Sequence, residues 1–173
     1  HSFSTTQLME TFRERAKTPG VSVRKEGDAP GALASAAKKI QAVYEAPYLS
    51  HLMMEPLNCV AYFQEDKLEI WGPIQAPDWV QDYLSKEMNM PREKVIVNMT
   101  FLGGGFGRKA FLDYPYEATL ISKEIGKPVQ VIWTREDDTS QGPFRPGMSY
   151  RCEGVVTNGM IDAFKLRLAG QNM

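Results

Sequence analysis

Apolar residues recur at helical spacing in four parts of the chain, and residues that favour helix ends bound each part. The predicted helices span residues 4–16, 28–40, 78–90 and 115–125. The apolar stripes of the last two helices predict which side chains face a core. These side chains are Trp79, Val80, Tyr83, Leu84 and Met88 in the third helix, and Tyr116, Leu120, Ile121 and Ile125 in the fourth.

Short apolar runs between turn residues predict strands. They cover residues 58–64, 68–71, 95–101, 129–134, 150–157 and 160–169. The mainly apolar run of 129–134 indicates a buried strand, and Asn158-Gly159 predicts a type I′ hairpin turn between the last two strands. The order is β-β-α-β-α-β followed by a β-hairpin. This order favours an α+β fold, a two-layer α/β sandwich with a mixed sheet, over a doubly wound parallel sheet.

Composition narrows the classes of function. The chain has 173 residues and a net charge of −1, so nothing suggests a basic surface for nucleic acid. Its apolar runs are too short for a membrane span. Cys59 and Cys152 lie far apart, which argues against a disulfide framework, a zinc site or an iron–sulfur site. The chain begins without methionine or a signal peptide, so we interpret it as a piece of a longer protein whose compartment stays open.

The densest chemical signal is a glycine cluster at the end of the strand predicted for 95–101. Residues 101–109 read FLGGGFGRK, with glycine at four of the five positions 103–107. Without Cβ atoms such a backbone can adopt positive φ, approach a ligand closely and point successive N–H groups at an anion or a polar oxygen. The loop does not match the dinucleotide fingerprint, because Arg108 stands where the third glycine belongs, nor the P-loop, because position 102 is leucine. A tight turn without a ligand remains an alternative.

Three further segments accompany the loop in a characteristic order. They are YEAPYLSHLMMEP at 44–56, WGPIQAP at 71–77 and KPVQVIWTRED at 127–137. Together with the loop they resemble the molybdenum hydroxylase family, which includes the xanthine dehydrogenases and aldehyde oxidases. Arg108 and the segment 144–146 resemble the isoquinoline 1-oxidoreductase beta-subunit branch of that family.

The resemblance implies a molybdenum–pterin cofactor, in its molybdopterin cytosine dinucleotide form. Such a metal is held by the pterin, so no protein ligand to a metal is expected. The cofactor-binding residues that it implies are Gln75, Gly103, Gly104, Gly105, Phe106, Gly107 and Arg108. Gln75 would hydrogen-bond to an oxo ligand of molybdenum. Ala110 is the substrate-pocket candidate, because xanthine-oxidising members carry a glutamate there.

The function implied is that of an oxidoreductase that hydroxylates N-heterocycles or aldehydes with oxygen from water. Its partners would be a small [2Fe-2S] subunit or domain, the remaining domains of the large subunit and a small-molecule substrate. The family's general base lies outside this chain, so no catalytic residue is assigned, and the fragment alone is expected to lack cofactor and activity. Residues 1–40 would join a preceding domain, and 41–173 would form part of the molybdopterin-binding domain.

Other interpretations stay open beside the resemblance. The loop also suits a nucleotide- or phosphate-binding module, and the chain also suits a non-catalytic assembly domain that contacts an iron–sulfur subunit. His51 and Glu55 are four residues apart but lie between prolines, so a structural or subunit-contact role is favoured over a metal site. The acidic run 136–138 is interpreted as a solvated cluster at a strand end.

Overall fold

A computed structural model of the chain describes residues 3–171. The chain divides into two compact units, one formed by residues 50–144 and the other by the segments on either side, up to 49 and from 145 onward. No helix in the described range is long and apolar enough to cross a membrane.

Helices and strands alternate irregularly along the chain. The helices are α1 Thr5–Arg15, α2 Ala29–Ser35, α3 Pro77–Glu87, α4 Asp113–Ile125 and α5 Arg135–Ser140. The strands are β1 Ile40–Ala46, β2 Asn58–Phe63, β3 Leu68–Gly72, β4 Val95–Met99, β5 Val129–Ile132, β6 Met148–Thr157 and β7 Met160–Gly170. Two 3-10 turns, Arg92–Lys94 and Arg108–Ala110, precede β4 and α4.

The central unit is a two-layer α/β sandwich. Its sheet has the order β4-β3-β2-β5, with β3 and β4 parallel and the other pairs antiparallel. Helix α3 makes the crossover that a parallel pair requires. Side chains of α3 and α4 share one core with the alternate, inward-facing residues of β2 and β3. The predicted α+β class, the mixed sheet and the order of its elements are confirmed.

Helix α4 packs through its small residues. Ala118, Thr119 and Ser122 are fully buried, and Ser122 Oγ accepts a hydrogen bond of 2.9 Å from the Phe63 N–H of β2. The prediction that Leu120, Ile121 and Ile125 face the core was wrong, because they are 42%, 45% and 53% exposed. A helix that hydrogen-bonds to a strand through a serine must lie close to the sheet, and only small side chains fit in that gap. In α3, Trp79 is likewise exposed, whereas Val80 and Leu84 are buried as predicted.

The segment after α4 differs from its prediction. Within the described residues, strand β5 pairs with β2 alone. Its side chains alternate, so Val131 packs against the core while Ile132 points to the other face and is exposed rather than buried. The acidic run belongs to helix α5, which Thr134 caps by accepting a hydrogen bond from the Asp137 N–H. Glu136 and Asp137 are exposed, as expected of a solvated cluster, but Asp138 is buried and pairs with Arg135.

The outer unit is a three-stranded antiparallel sheet in the order β1-β6-β7. Helix α2 ends at Ser35, five residues before its predicted end, and Ile40 begins β1, which pairs with β6. The hairpin of β6 and β7 is confirmed, with φ of 52° at Asn158 and 79° at Gly159. Helices α1 and α2 pack on one face of this sheet.

A matched pair of leucines tests the packing of the central unit. Leu84→Ala should lower the free energy of unfolding by about 2–5 kcal/mol, because it leaves a cavity in a filled core. Leu120→Ala makes the same chemical change on an exposed helix face and should cost about 0.5 kcal/mol or less. Urea unfolding of both variants measures the difference. Equal losses would show that α4 buries its leucine after all.

Candidate functional site

The glycine-rich loop connects β4 to the 3-10 turn at Arg108–Ala110. Its backbone enters the left-handed region at Gly104, Phe106 and Gly107, with φ of 93°, 50° and 92°. A side chain at either glycine would be strained, whereas Phe106 carries this conformation with its ring 61% exposed. Within the described residues, the N–H groups of Gly104 and Phe106 have no hydrogen-bond acceptor. The loop therefore offers backbone donors to a polar or anionic group.

Gln75 lies against the loop from the segment that follows β3. Its Oε1 accepts a hydrogen bond of 3.0 Å from the Gly107 N–H, and its backbone N–H donates to the Lys109 carbonyl at 3.0 Å. A Cβ atom on Gly105 would fall 2.4 Å from Gln75 Oε1, so Gly105 is required by this close approach and not by its φ. The structure thus brings together the glutamine and the loop that the sequence motifs assigned to one site. With Oε1 held by the loop, the Nε2 amide group is the donor that Gln75 has left for a ligand.

Glu55 joins the two ends of the loop, a contact that the sequence analysis missed. Its Oε2 accepts hydrogen bonds of 2.7 Å from the Gly103 N–H and 2.5 Å from Lys109 Nζ. Its own N–H donates to the Gly103 carbonyl at 3.2 Å, and Asn58 donates to Oε1 at 3.3 Å. Burial alone would raise the pKa of Glu55, but the hydrogen bonds from Lys109, Gly103 and Asn58 outweigh it and hold that pKa below its usual range. Glu55 is therefore a carboxylate, and its pairing with Lys109 is a long-range contact that residue spacing did not indicate.

Arg108 is buried beneath the loop. Its guanidinium donates to Asp113 through both terminal nitrogens, at 2.9 and 2.6 Å, and lies over the rings of Phe111 and Trp133 at 5.6 and 5.3 Å. A Cβ atom on Gly142 would come within 2.6 Å of this guanidinium, so the space around it is filled. The side chain of this predicted cofactor residue is thus engaged by the protein. Both terminal nitrogens of Arg108 are paired within the chain, whereas its buried Nε has no hydrogen-bond partner among the described residues.

The remaining candidates differ in their exposure. Ala110 is half-buried at the end of the 3-10 turn, and Phe106 and Phe111 present apolar surface near it in the chain. In the described part of the chain, no group of three or more histidine, cysteine, aspartate or glutamate side chains is placed to hold a metal ion. Burial raises the pKa of the Cys59 thiol to about 12, so that thiol stays protonated in the core.

The arrangement of Arg108 predicts a large cost for a change that keeps its charge. Arg108→Lys should lower the free energy of unfolding by about 1.5–3 kcal/mol, because an ammonium cannot replace the bidentate, ring-stacked guanidinium. Arg92→Lys is the matched control, since Arg92 pairs with Asp82 on the surface, where both side chains are about half exposed. It should cost less than about 0.5 kcal/mol. Denaturant unfolding of both variants measures the contrast, and a harmless Arg108→Lys would contradict the buried arrangement.

Known proteins resemble this chain at the level of family and fold. The molybdopterin cofactor-binding domain family matches residues 12–172. The chain is 37% identical over 139 residues to the aldehyde oxidoreductase molybdenum-binding subunit PaoC of Escherichia coli K12. This match covers 79% of the chain and 19% of that subunit. It is 35% identical over 115 residues to isoquinoline 1-oxidoreductase subunit beta of Brevundimonas diminuta, covering 66% of the chain and 14% of the relative.

A solved structure shows the same fold. The crystal structure of quinoline 2-oxidoreductase from Pseudomonas putida 86 superposes with a TM-score of 0.67 and 25% identity, over 83% of the chain and 19% of the matched protein. The chain therefore spans about a fifth or less of the length of these relatives. Because the family match extends over nearly all of the described residues, the chain belongs to the molybdopterin cofactor-binding domain family.

Proposed function

We propose that this chain forms part of the cofactor site of a molybdenum-containing oxidoreductase, with the loop 103–107 and Gln75 lying against a molybdenum–pterin cofactor. The observation that carries the proposal is the close approach of Gln75 to Gly105, next to backbone N–H groups that have no acceptor among the described residues. This surface suits polar oxygens of a cofactor. The family membership of the chain favours this function over that of a nucleotide-binding module or a purely structural assembly domain.

The residues of the loop would bind and orient, and the cofactor would supply the chemistry. When bound, a molybdenum–pterin cofactor provides two-electron oxidation of a substrate carbon, with oxygen drawn from water. Gln75 would donate from Nε2 to an oxygen of the group, since its Oε1 is held by Gly107. Donors that are fixed before the ligand arrives need no reorganisation when it binds. Phe106 and Phe111 would give the neighbouring surface an apolar character that excludes water.

The finer assignments extend this proposal. The cofactor would be the cytosine dinucleotide form of molybdopterin, and its electrons would leave through a small [2Fe-2S] subunit or domain. The substrate would be an aldehyde or an N-heterocycle, as the names of the aldehyde and isoquinoline oxidoreductase relatives suggest. No general base is assigned within the chain, and the chain by itself would hold neither molybdenum nor activity. The division into a joining segment at 1–40 and a cofactor-binding part at 41–173 stays a prediction.

The uncovered sheet face of the outer unit supports a place in a larger subunit. The face opposite α1 and α2 carries apolar side chains on all three strands. They include Ile40 and Tyr44 of β1, Tyr150 and Cys152 of β6, and Phe164, Leu166 and Leu168 of β7, with the three residues of β7 about half exposed. Apolar surface of this extent on one sheet face is typical of a contact with more protein.

Gly105 provides the direct test of the loop assignment. In the full-length subunit that contains this chain, Gly105→Ala should sharply reduce the molybdenum content, because the new methyl group would displace the Gln75 amide. Gly20→Ala is the matched control, since a Cβ atom there meets nothing within 4 Å. Elemental analysis per mole of folded subunit measures both variants. A fully loaded Gly105→Ala subunit would reject the site.

Because position 110 is an alanine, we predict that the intact enzyme is not a purine hydroxylase. A methyl group cannot pair with a purine edge, and the missing hydrogen bond should cost roughly 1–3 kcal/mol in the transition state, or about ten- to a hundredfold in kcat/KM. Ala110→Glu should therefore raise kcat/KM for xanthine relative to isoquinoline and an aromatic aldehyde, whereas Ala110→Leu should not. Steady-state assays of the intact enzyme decide the question. A wild type that prefers xanthine would contradict the role given to Ala110.

A further inference from the structure

The glycine loop is attached to the rest of the protein at both ends by one carboxylate oxygen. Glu55 Oε2 accepts from the Gly103 N–H, where the loop begins, and from Lys109 Nζ, two residues after the last glycine. The backbone of Glu55 adds a further hydrogen bond to the Gly103 carbonyl. Each connection spans about fifty residues of sequence, so the loop ends are joined through the tertiary fold and not by neighbouring residues.

Lys109 is completely buried, whereas the Glu55 side chain is 32% exposed. An ammonium without access to water depends on its acceptors, and among the described residues Lys109 Nζ donates its hydrogen bond to Glu55. The carboxylate cannot move without leaving that charge unpaired, so the pair favours a single arrangement of both loop ends. The buried ammonium is also withdrawn from the exposed surface that the loop presents. This burial argues against a direct contact between Lys109 and a ligand.

We propose that Glu55 and Lys109 are positioning residues that preform the cofactor loop by fixing its two ends. The inference rests on the proposed function, because it concerns how the loop is held ready for the cofactor. Gln75 fixes the second half of the loop through Gly107, and the Glu55–Lys109 pair fixes where the loop begins and ends. A loop without this pair would retain its glycines and its donors but would sample several conformations. Cofactor retention would then fall without the loss of any contact to the cofactor.

A double-substitution cycle in the full-length subunit tests the pair. Lys109→Met and Glu55→Gln should each lower the molybdenum content per folded subunit by about tenfold, the size of effect known for residues that orient ligating groups. Combining them leaves the loop ends unjoined, as each single change does, so the double variant should lose about as much molybdenum as either single variant and not the product of the two losses. Lys109→Arg keeps a cation that can reach the carboxylate and should be close to wild type.

Two further measurements separate positioning from general destabilisation. Hydrogen exchange of the cofactor-free subunit should be faster in the peptide 101–110 of Lys109→Met and unchanged in peptides from β2 and β3. Leu84→Ala removes a fully buried side chain from the same core and is not part of the loop. Per folded subunit, it should keep the wild-type molybdenum content, and its peptide 101–110 should exchange at the wild-type rate.

These experiments separate the role of the Glu55–Lys109 pair from the presence of the cofactor site. A loaded wild type with an equally loaded Lys109→Met overturns the inference and leaves the proposed function standing. A double variant that loses about a hundredfold, the product of the two single effects, also overturns the inference, because the two residues would then act independently. A wild-type subunit without molybdenum overturns the proposed function and the inference together.

Discussion

A loop made mainly of glycine has almost no side chains with which to hold one conformation. Such a loop must be fixed from outside, and the central unit does this with two side chains from segments that precede it in the sequence. Gln75 accepts a hydrogen bond from the last glycine of the loop, and Glu55 accepts from its beginning and from the lysine that follows it. The absence of Cβ atoms makes both contacts geometrically possible, because a methyl group at 105 or at 103 would overlap these same two side chains. The residues that make the loop pliable are thus also those that allow it to be clamped.

The turn that follows the loop is also held in place by contacts with other segments. Arg108 and Lys109 come directly after the last glycine, and both point into the protein, where Asp113 and Glu55 neutralise them. Two buried cations in succession stabilise a turn only when each has its own acceptor, since an unpaired buried charge is strongly destabilising. The turn thereby directs the chain into α4, whose Tyr114 hydroxyl donates to the carbonyls of Pro73 and Lys109 at 3.3 and 3.4 Å. The loop, the turn and the start of α4 form one hydrogen-bonded assembly on the edge of the core.

The two layers of the central unit are close together. Because of this close spacing, several apolar side chains of helix α4 remain exposed. Helix α4 approaches β2 closely enough for Ser122 to hydrogen-bond to the strand, so the small residues around Ser122 are buried and Leu120, Ile121 and Ile125 remain outside. The outer unit shows a comparable division, with α1 and α2 on one sheet face and half-exposed apolar side chains of β7 on the other. Both surfaces are consistent with a domain that is built to pack against further protein, as expected of a chain about a fifth as long as its relatives.

The sequence by itself determined the local features whose causes lie within a few residues. The Asn158-Gly159 turn, the positions of α3 and α4, the mixed sheet and the identity of the glycine loop all follow from periodicity, turn chemistry and the order of four motifs. The association of Gln75 with the loop was implied by family resemblance, and the structure supplies its physical reason in the space left by Gly105. Tertiary structure decided the rest. Which face of α4 is buried depends on its distance from β2, the exposure of Ile132 depends on which face of the sheet the helices cover, and the Glu55–Lys109 pair joins residues 54 positions apart. Such contacts depend on the way in which distant segments meet, and no local pattern of polar and apolar residues encodes that meeting.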